Sequence, residues 1–204
     1  MMYSQAFQDE FVDILLSRPT KGFFVDVGAG YDQAIDINSN SLMFEERGWE
    51  GIAIDGSMER MLGRKCKCVS CFIGDGSEGT VLLSDVLSAN GCPTVVDYLS
   101  VDIEGNDYKA IESFVGGGYE FKIATIEHNL YSRNAGVDEL KRDVFDLLTR
   151  NGYIRIVDNV GHMAISSDLH RGWPFEDWYI NPKYVKYKET MNTIKTMKEN
   201  GEAR

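Results

Sequence analysis

The sequence predicts an α/β fold: a mostly parallel sheet with helices on both faces and an antiparallel C-terminal edge. Two observations predict it. Short apolar runs that break into glycine or acid alternate five times with helical patterns. After the last helical pattern the chain turns to short β segments with no helix between them, which suits antiparallel addition at one edge.

In order, residues 5–17 carry Phe7, Phe11, Ile14 and Leu15 at helical spacing, and Pro19 stops that helix. Residues 22–28 form an apolar run entering Gly28, as a buried parallel strand does. A helix is expected over 39–47, closed by Gly48, then a strand over 51–56 that ends in Asp55 and a turn. A third strand is expected over 69–73, before Gly74-Asp75-Gly76, and a helix over 81–89, before Gly91. The fourth strand, 95–101, runs into Asp102-Ile103-Glu104-Gly105. Asn106 is placed to cap the next helix, which Gly116-Gly117-Gly118 ends. The fifth strand, 121–126, ends at Glu127-His128-Asn129, and residues 138–150 form an amphipathic helix through Leu140, Val144, Leu147 and Leu148. Further β segments are expected at 153–157, 162–165 and 178–180. No linker or repeat interrupts the pattern, so residues 1–187 read as one domain and 188–204 as a polar tail or surface helix.

At 204 residues, 43% hydrophobic and 26% charged, the chain can bury a core without disulfides or structural metal. Its formal net charge of −11 argues against nucleic-acid backbones and anionic membranes as partners. No apolar stretch is long enough to span a bilayer, and the N-terminus lacks a basic segment leading into an apolar one, so a cytoplasmic location is expected. Cys66, Cys68 and Cys71 lack the paired spacing of common zinc sites and read as structural.

In an open parallel sheet, ligands bind beyond the carboxyl ends of the strands. Here those ends carry Asp26-Val27-Gly28-Ala29-Gly30, Asp55, Asp75, Asp102 with Glu104, and Glu127 with His128. One acid after a strand is usually a turn former or helix cap; a row of them lines a cleft. Gly28 and Gly30 let the backbone approach a ligand closely, and an acid after the second strand can hold both ribose hydroxyls. Gln33 stands where a dinucleotide fingerprint needs its third glycine, and no triphosphate loop is present. A nucleoside cofactor without phosphate and with positive charge fits best, as S-adenosylmethionine does.

The sequence resembles the FkbM-family S-adenosylmethionine-dependent methyltransferases. The residues that carry the likeness are Tyr3-Ser4-Gln5 with Gln8-Asp9, and Phe24-Val25-Asp26-Val27-Gly28-Ala29. They continue with Asn38-Ser39-Asn40-Ser41 before Phe44-Glu45, and Gly48-Trp49-Glu50-Gly51 before Asp55. The most specific are residues 97–105, Ile126-Glu127-His128-Asn129, Asn151-Gly152-Tyr153 and Asp177-Trp178-Tyr179. The resemblance implies a Rossmann-like class I methyltransferase fold and O-methylation of a sugar or other small polar acceptor.

It also implies site roles. Asp26, Gly28, Ala29 and Gly30 would wall the methionine part, and Asp55, followed by Gly56 and Ser57, would take the ribose. Asp75 would take the adenine amino group, or serve only as a turn former. Asn38 and Ser39 reach the cofactor or cap a helix. Asp102, Glu104, Glu127 and His128 form the expected reaction centre, with His128 as general base; the alternatives are a structural His128, Asp102 as the base, or Asp102, with Glu104 beside it, binding the cofactor's amino group. The same four side chains could also chelate Mg²⁺ or Mn²⁺, although S-adenosylmethionine is the only cofactor expected. Trp49 reads as core, while Trp173 and Trp178 could stack on a sugar. Two rival functions are an NAD-type oxidoreductase and a non-catalytic binding module on the same fold.

Overall fold

The computed structural model describes residues 3–30, 38–77, 79–128, 130, 136–161 and 174–200. The elements in chain order are α1 (Gln8–Leu15), β1 (Phe23–Val27), α2 (Leu42–Glu46), β2 (Glu50–Asp55), β3 (Lys67–Ser70), α3 (Leu83–Ala89) and β4 (Val95–Val101). They continue with α4 (Asp107–Gly116), β5 (Glu120–Glu127), α5 (Val137–Arg150), β6 (Ile154–Gly161), β7 (Pro174–Ile180) and α6 (Tyr187–Asn200).

The seven strands form one sheet in the order β3-β2-β1-β4-β5-β7-β6. β1 to β5 pair in parallel, and β7 runs antiparallel between β5 and β6. The order reverses between β1 and β4, so their carboxyl ends splay and leave a crevice there.

Period-two alternation gives the sheet two different faces. Val25, Val27, Ile52, Ile54, Leu99, Val101, Ala124 and Ile126 point to one, where Leu83 and Leu87 of α3, Phe114 of α4 and Leu148 of α5 cover them. This face is apolar along its length. The opposite face is apolar only where β1, β4 and β5 begin and the antiparallel β7 ends: there Phe24, Tyr98, Ile123 and Ile180 meet Phe11 of α1, Phe44 of α2 and Ile194 of α6. Two residues on, the same face carries Asp26, Ser100, Thr125 and Trp178, and beyond these Gly28, Asp102, Glu127 and Glu176. The change from oil to acid along one face is what builds the site.

Several boundaries differ from the sequence reading. β3 begins at Lys67 and ends at Ser70 rather than spanning 69–73, because its partner β2 ends at Asp55, paired with Ser70. Ile73 keeps only an isolated bridge to Val81. α1 starts at Gln8, not near residue 5, because Phe7 adopts a left-handed backbone, φ 64°. α2 starts at Leu42, with Ser41 at its N-cap position, and Ser39 Oγ accepts the Leu42 N–H at 3.1 Å in the turn that leads into the helix. The side chain of Asn106 caps nothing. Asp107 instead accepts the N–H groups of Ile103 (3.1 Å) and Gly105 (3.0 Å), tying down the turn that carries Glu104. The expected segment 162–165 lies outside the described residues, and β6 continues unbroken to Gly161.

Residues 187–200 are helical and dock on α1, with Thr190 and Ile194 buried. Trp49 and Trp178 are core, so Trp178 offers no surface for a sugar. Trp173 lies outside the described residues. All four cysteines are free thiols. Burial pushes the thiol of Cys92 up to about 12 and those of Cys66 and Cys71 upward as well, so they are poor nucleophiles. Among the described residues, no helix is long and apolar enough to cross a membrane.

Candidate functional site

A cavity of about 450 Å³ opens where β1, β2 and β4 end. Its inner wall is the Gly28-Ala29-Gly30 turn. The N–H groups of Gly28 (2.8 Å) and Ala29 (3.0 Å) donate to Ile54 O, and Asp102 N donates to Val27 O at 2.8 Å. These bonds press Gly28, at φ 90°, so close to β4 that a Cβ there would overlap the Asp102 carbonyl oxygen.

At the end of β2, Asp55 holds two loops with one carboxylate. Oδ2 accepts the Gly30 N–H at 3.0 Å, and Oδ1 accepts the Ser57 N–H at 2.8 Å. Arg60 Nη1 lies 3.7 Å from Asp55 Oδ2, and its Nη2 donates to Gly30 O at 3.3 Å. Beyond Gly56 the wall is Phe72, whose ring lies 66% exposed against the glycine and fills the space a Cβ would need. Across the cavity, Asn38 is pinned by its N–H to Tyr3 O at 2.7 Å, and Asn40 Nδ2 donates to Ser100 Oγ at 3.0 Å.

The floor is Asp26, and a buried polar chain leads away from it. Ser41 Oγ donates to Asp26 Oδ2 at 2.5 Å and accepts from Arg64 Nη2 at 2.7 Å. Arg64 Nε in turn donates to Glu45 Oε2 at 2.9 Å, with the Arg64 side chain fully buried. Burial pushes the Asp26 carboxyl up, while the Arg64 charge and the Ser41 hydrogen bond hold it back.

Of the residues expected at the site, Asp26, Gly28, Ala29, Gly30, Asn38, Asp55, Gly56, Asp102 and Glu104 line this one cavity. Ser39 lies buried behind it, and Ser57 contributes its N–H to Asp55 from outside. Asp75 is off the cavity wall: Oδ1 accepts the Ser77 N–H at 3.0 Å, which makes it a turn former. The wall also includes Gln5, Gln8, Arg60, Phe72 and Phe175, to which sequence reading gave no site role. Gln5 and Gln8 had a signal, their place in the N-terminal motif. Arg60 and Phe72 had none, since each reads as an ordinary loop residue.

The acids past β4 and β5 converge. Asp102, Glu104 and Glu127 each offer an oxygen within 4.8 Å of the others. Burial, then the neighbouring Asp102, pushes the Glu127 carboxyl far above the carboxylate range. Asp107 is raised to about 6, chiefly by burial.

His128 points elsewhere. Its Nδ1 accepts the Leu130 N–H at 3.2 Å, which leaves the ring proton on Nε2, 3.4 Å from Asp177 Oδ1. That contact is too poorly aligned to count as a full hydrogen bond. His128 is buried and does not line the cavity. Asp177 also takes Arg155 Nη1 at 2.9 Å and Lys141 Nζ at 3.4 Å. Burial would raise its carboxyl, but the His128 ring, the Asn159 N–H and nearby positive charge pull it down to about 2.

The strand order, with an antiparallel β7 between β5 and β6, is the class I methyltransferase topology. No known family model matches the chain, and no curated protein matches it at a significant level.

Proposed function

We propose that the chain is an S-adenosylmethionine-dependent methyltransferase of the FkbM type, acting on a hydroxyl of a sugar or other small polar molecule. One observation carries the reading: a cavity at the carboxyl ends of β1, β2 and β4 whose glycine turn is packed against β4 and whose wall is acidic. Among the described lining residues, Asp26, Asp55, Asp102 and Glu104 supply four carboxyls, and Arg60 is the one cation. Such a wall favours a ligand carrying a sulfonium and an ammonium and repels a pyrophosphate.

In this reading the free lone pairs of Asp55 take the ribose hydroxyls, and the adenine lies against Phe72 and Gly56. The methionine part follows Gly28–Gly30 toward Asn38 and Gln5. The acceptor then sits above Asp102. As the O–CH₃ bond forms, the S–CH₃ bond breaks, S-adenosylhomocysteine leaves, and the acceptor proton passes to Asp102, the half-buried acid on the cavity wall. His128 acts as a positioning residue that braces Asp177 and the β5–β7 seam.

The dinucleotide rival is disfavoured by that acidic wall and by β7, since the dinucleotide fold continues in parallel strands. Gln33, the residue that spoke against it in the sequence, lies outside the described residues. Thermal unfolding with each ligand separates the two. S-adenosylhomocysteine at a hundred times its Kd is expected to add about 2.7 kcal/mol, or roughly 5–10 °C in Tm. Stabilisation by NAD with none by S-adenosylhomocysteine would overturn the proposal. Binding without transfer of labelled methyl to any of a broad hydroxyl panel would favour a non-catalytic module instead.

A further inference from the structure

We propose that Asp102, Glu104 and Glu127 bind one divalent cation of the Mg²⁺ or Mn²⁺ kind at the edge of the cavity. Val101 and Ile126 are paired in the β4–β5 ladder, so the next residues, Asp102 and Glu127, leave the sheet side by side. Glu104 joins them from the turn that Asp107 holds by two backbone hydrogen bonds. The three carboxylate oxygens lie within 4.8 Å of one another. A cation at about 2.1 Å from each ligand needs oxygens roughly 3 Å apart when adjacent and about 4.2 Å apart when opposed, so side-chain rotation that draws the three carboxylates inward completes the set. All ligands are hard oxygens, which select such ions over zinc or copper.

A second observation points to a ligand. Glu127 is only 6% exposed, and its Oε2 is buried with no hydrogen-bond partner among the described residues. A buried carboxylate oxygen left without a partner is costly and calls for one. The Glu127 carboxyl lies within hydrogen-bonding reach of Asp102, so what fills the space between them is either a proton or a cation. No ion pair among the described residues neutralises Asp102 or Glu127: Arg155 and Lys141 are committed to Asp177, and His128 faces the same acid. His128 is therefore outside the ligand set.

Because Asp102 and Glu104 line the cavity, the cation's remaining positions face it and are open to water or to ligand oxygens. The acceptor class this implies rests on the methyltransferase reading: a molecule with two adjacent oxygens, such as a vicinal diol or a hydroxy acid, that chelates the ion. A coordinated hydroxyl is more acidic, which suits proton transfer to the second oxygen of Asp102.

The test needs neither cofactor nor turnover. The full chain, stripped with chelator, is titrated with Mn²⁺ while the paramagnetic signal of the free ion is followed. One ion per chain is expected, displaced by excess Mg²⁺. Glu104→Gln, an exposed change that spares the fold, is expected to weaken binding by about tenfold, and Glu127→Gln to abolish it. The Tm of each variant shows that it is folded. Absence of saturable binding below about 1 mM, or binding that neither variant alters, overturns the proposal. Displacement of Mn²⁺ by S-adenosylhomocysteine also overturns it, assigning the carboxylates to the cofactor's ammonium. The methyltransferase reading would survive either result, since its own test is the stabilisation by S-adenosylhomocysteine.

Discussion

Arg64 braces the cavity floor without lining the cavity. Its fully buried guanidinium joins Glu45 to Ser41 and, through Ser41, to the Asp26 floor. Arg64→Met is expected to cost about 3–5 kcal/mol in urea unfolding, because it leaves Glu45 buried without its counter-charge, held only by the Lys65 and Cys66 N–H groups. Arg60→Ala, on an exposed guanidinium, should change stability by less than about 1 kcal/mol. A sequence scan gives no warning of the difference, since both arginines stand in the same short connection between β2 and β3. Glu176 gives a pH prediction. Burial raises its carboxyl to about 8, against partial relief from Trp178 and Gln8. An acid raised on folding supports the fold below its unfolded pKa and loses that support as pH rises through the folded value. Glu176→Gln keeps the acceptor for Trp178 Nε1 and removes the ionisation. It should therefore add about 2 kcal/mol or more at pH 8 and much less at pH 5, read from unfolding curves at the two values. His128 teaches a related lesson. Its place after β5 is legible in the sequence, but the direction of its ring depends on Asp177, an acid 49 residues later in the chain.

Among the elements, the strands were the most legible and their ends the least. The apolar runs that became β1, β2, β4 and β5 announce buried parallel strands because both faces must be covered. Where a strand stops depends on its partner, so β3 was misplaced by two to three residues once β2 ran out at Asp55. The starts of α1 and α2 slipped by about three residues, whereas α4 begins after Asn106 as the sequence reads and differs only in which side chain ties the turn down. Asn106 and Asp107 are both good caps by type, and only the fold shows Asp107 taking the Ile103 and Gly105 N–H groups. The junction that matters most is the β1 turn. Gly28 combines a left-handed φ with a backbone neighbour that cannot move aside. Gly28→Ala is expected to destabilise the chain by at least about 2 kcal/mol and to abolish S-adenosylhomocysteine binding. A variant with unchanged Tm and unchanged affinity would show that the turn is not the cofactor wall.

At the scale of the molecule, charge is distributed as the site requires. Residues 1–130 carry 21 acidic and nine basic side chains, whereas residues 131–204 carry 11 and 12. The acidic excess belongs to the half that builds the cavity, and part of it lies on one sheet face beyond the apolar ends of the same strands. Composition alone gives the acidic excess; it could not say that Asp26, Asp102 and Glu127 share a face while Asp75 serves a turn. The central claim is that this cavity binds S-adenosylmethionine. Calorimetric titration of the purified chain with S-adenosylhomocysteine tests it most directly. One saturable site per chain is predicted, weakened by about tenfold or more in Asp55→Asn through loss of charged hydrogen bonds to the ribose. Heats equal to dilution throughout, or an affinity indifferent to Asp55, would contradict the account.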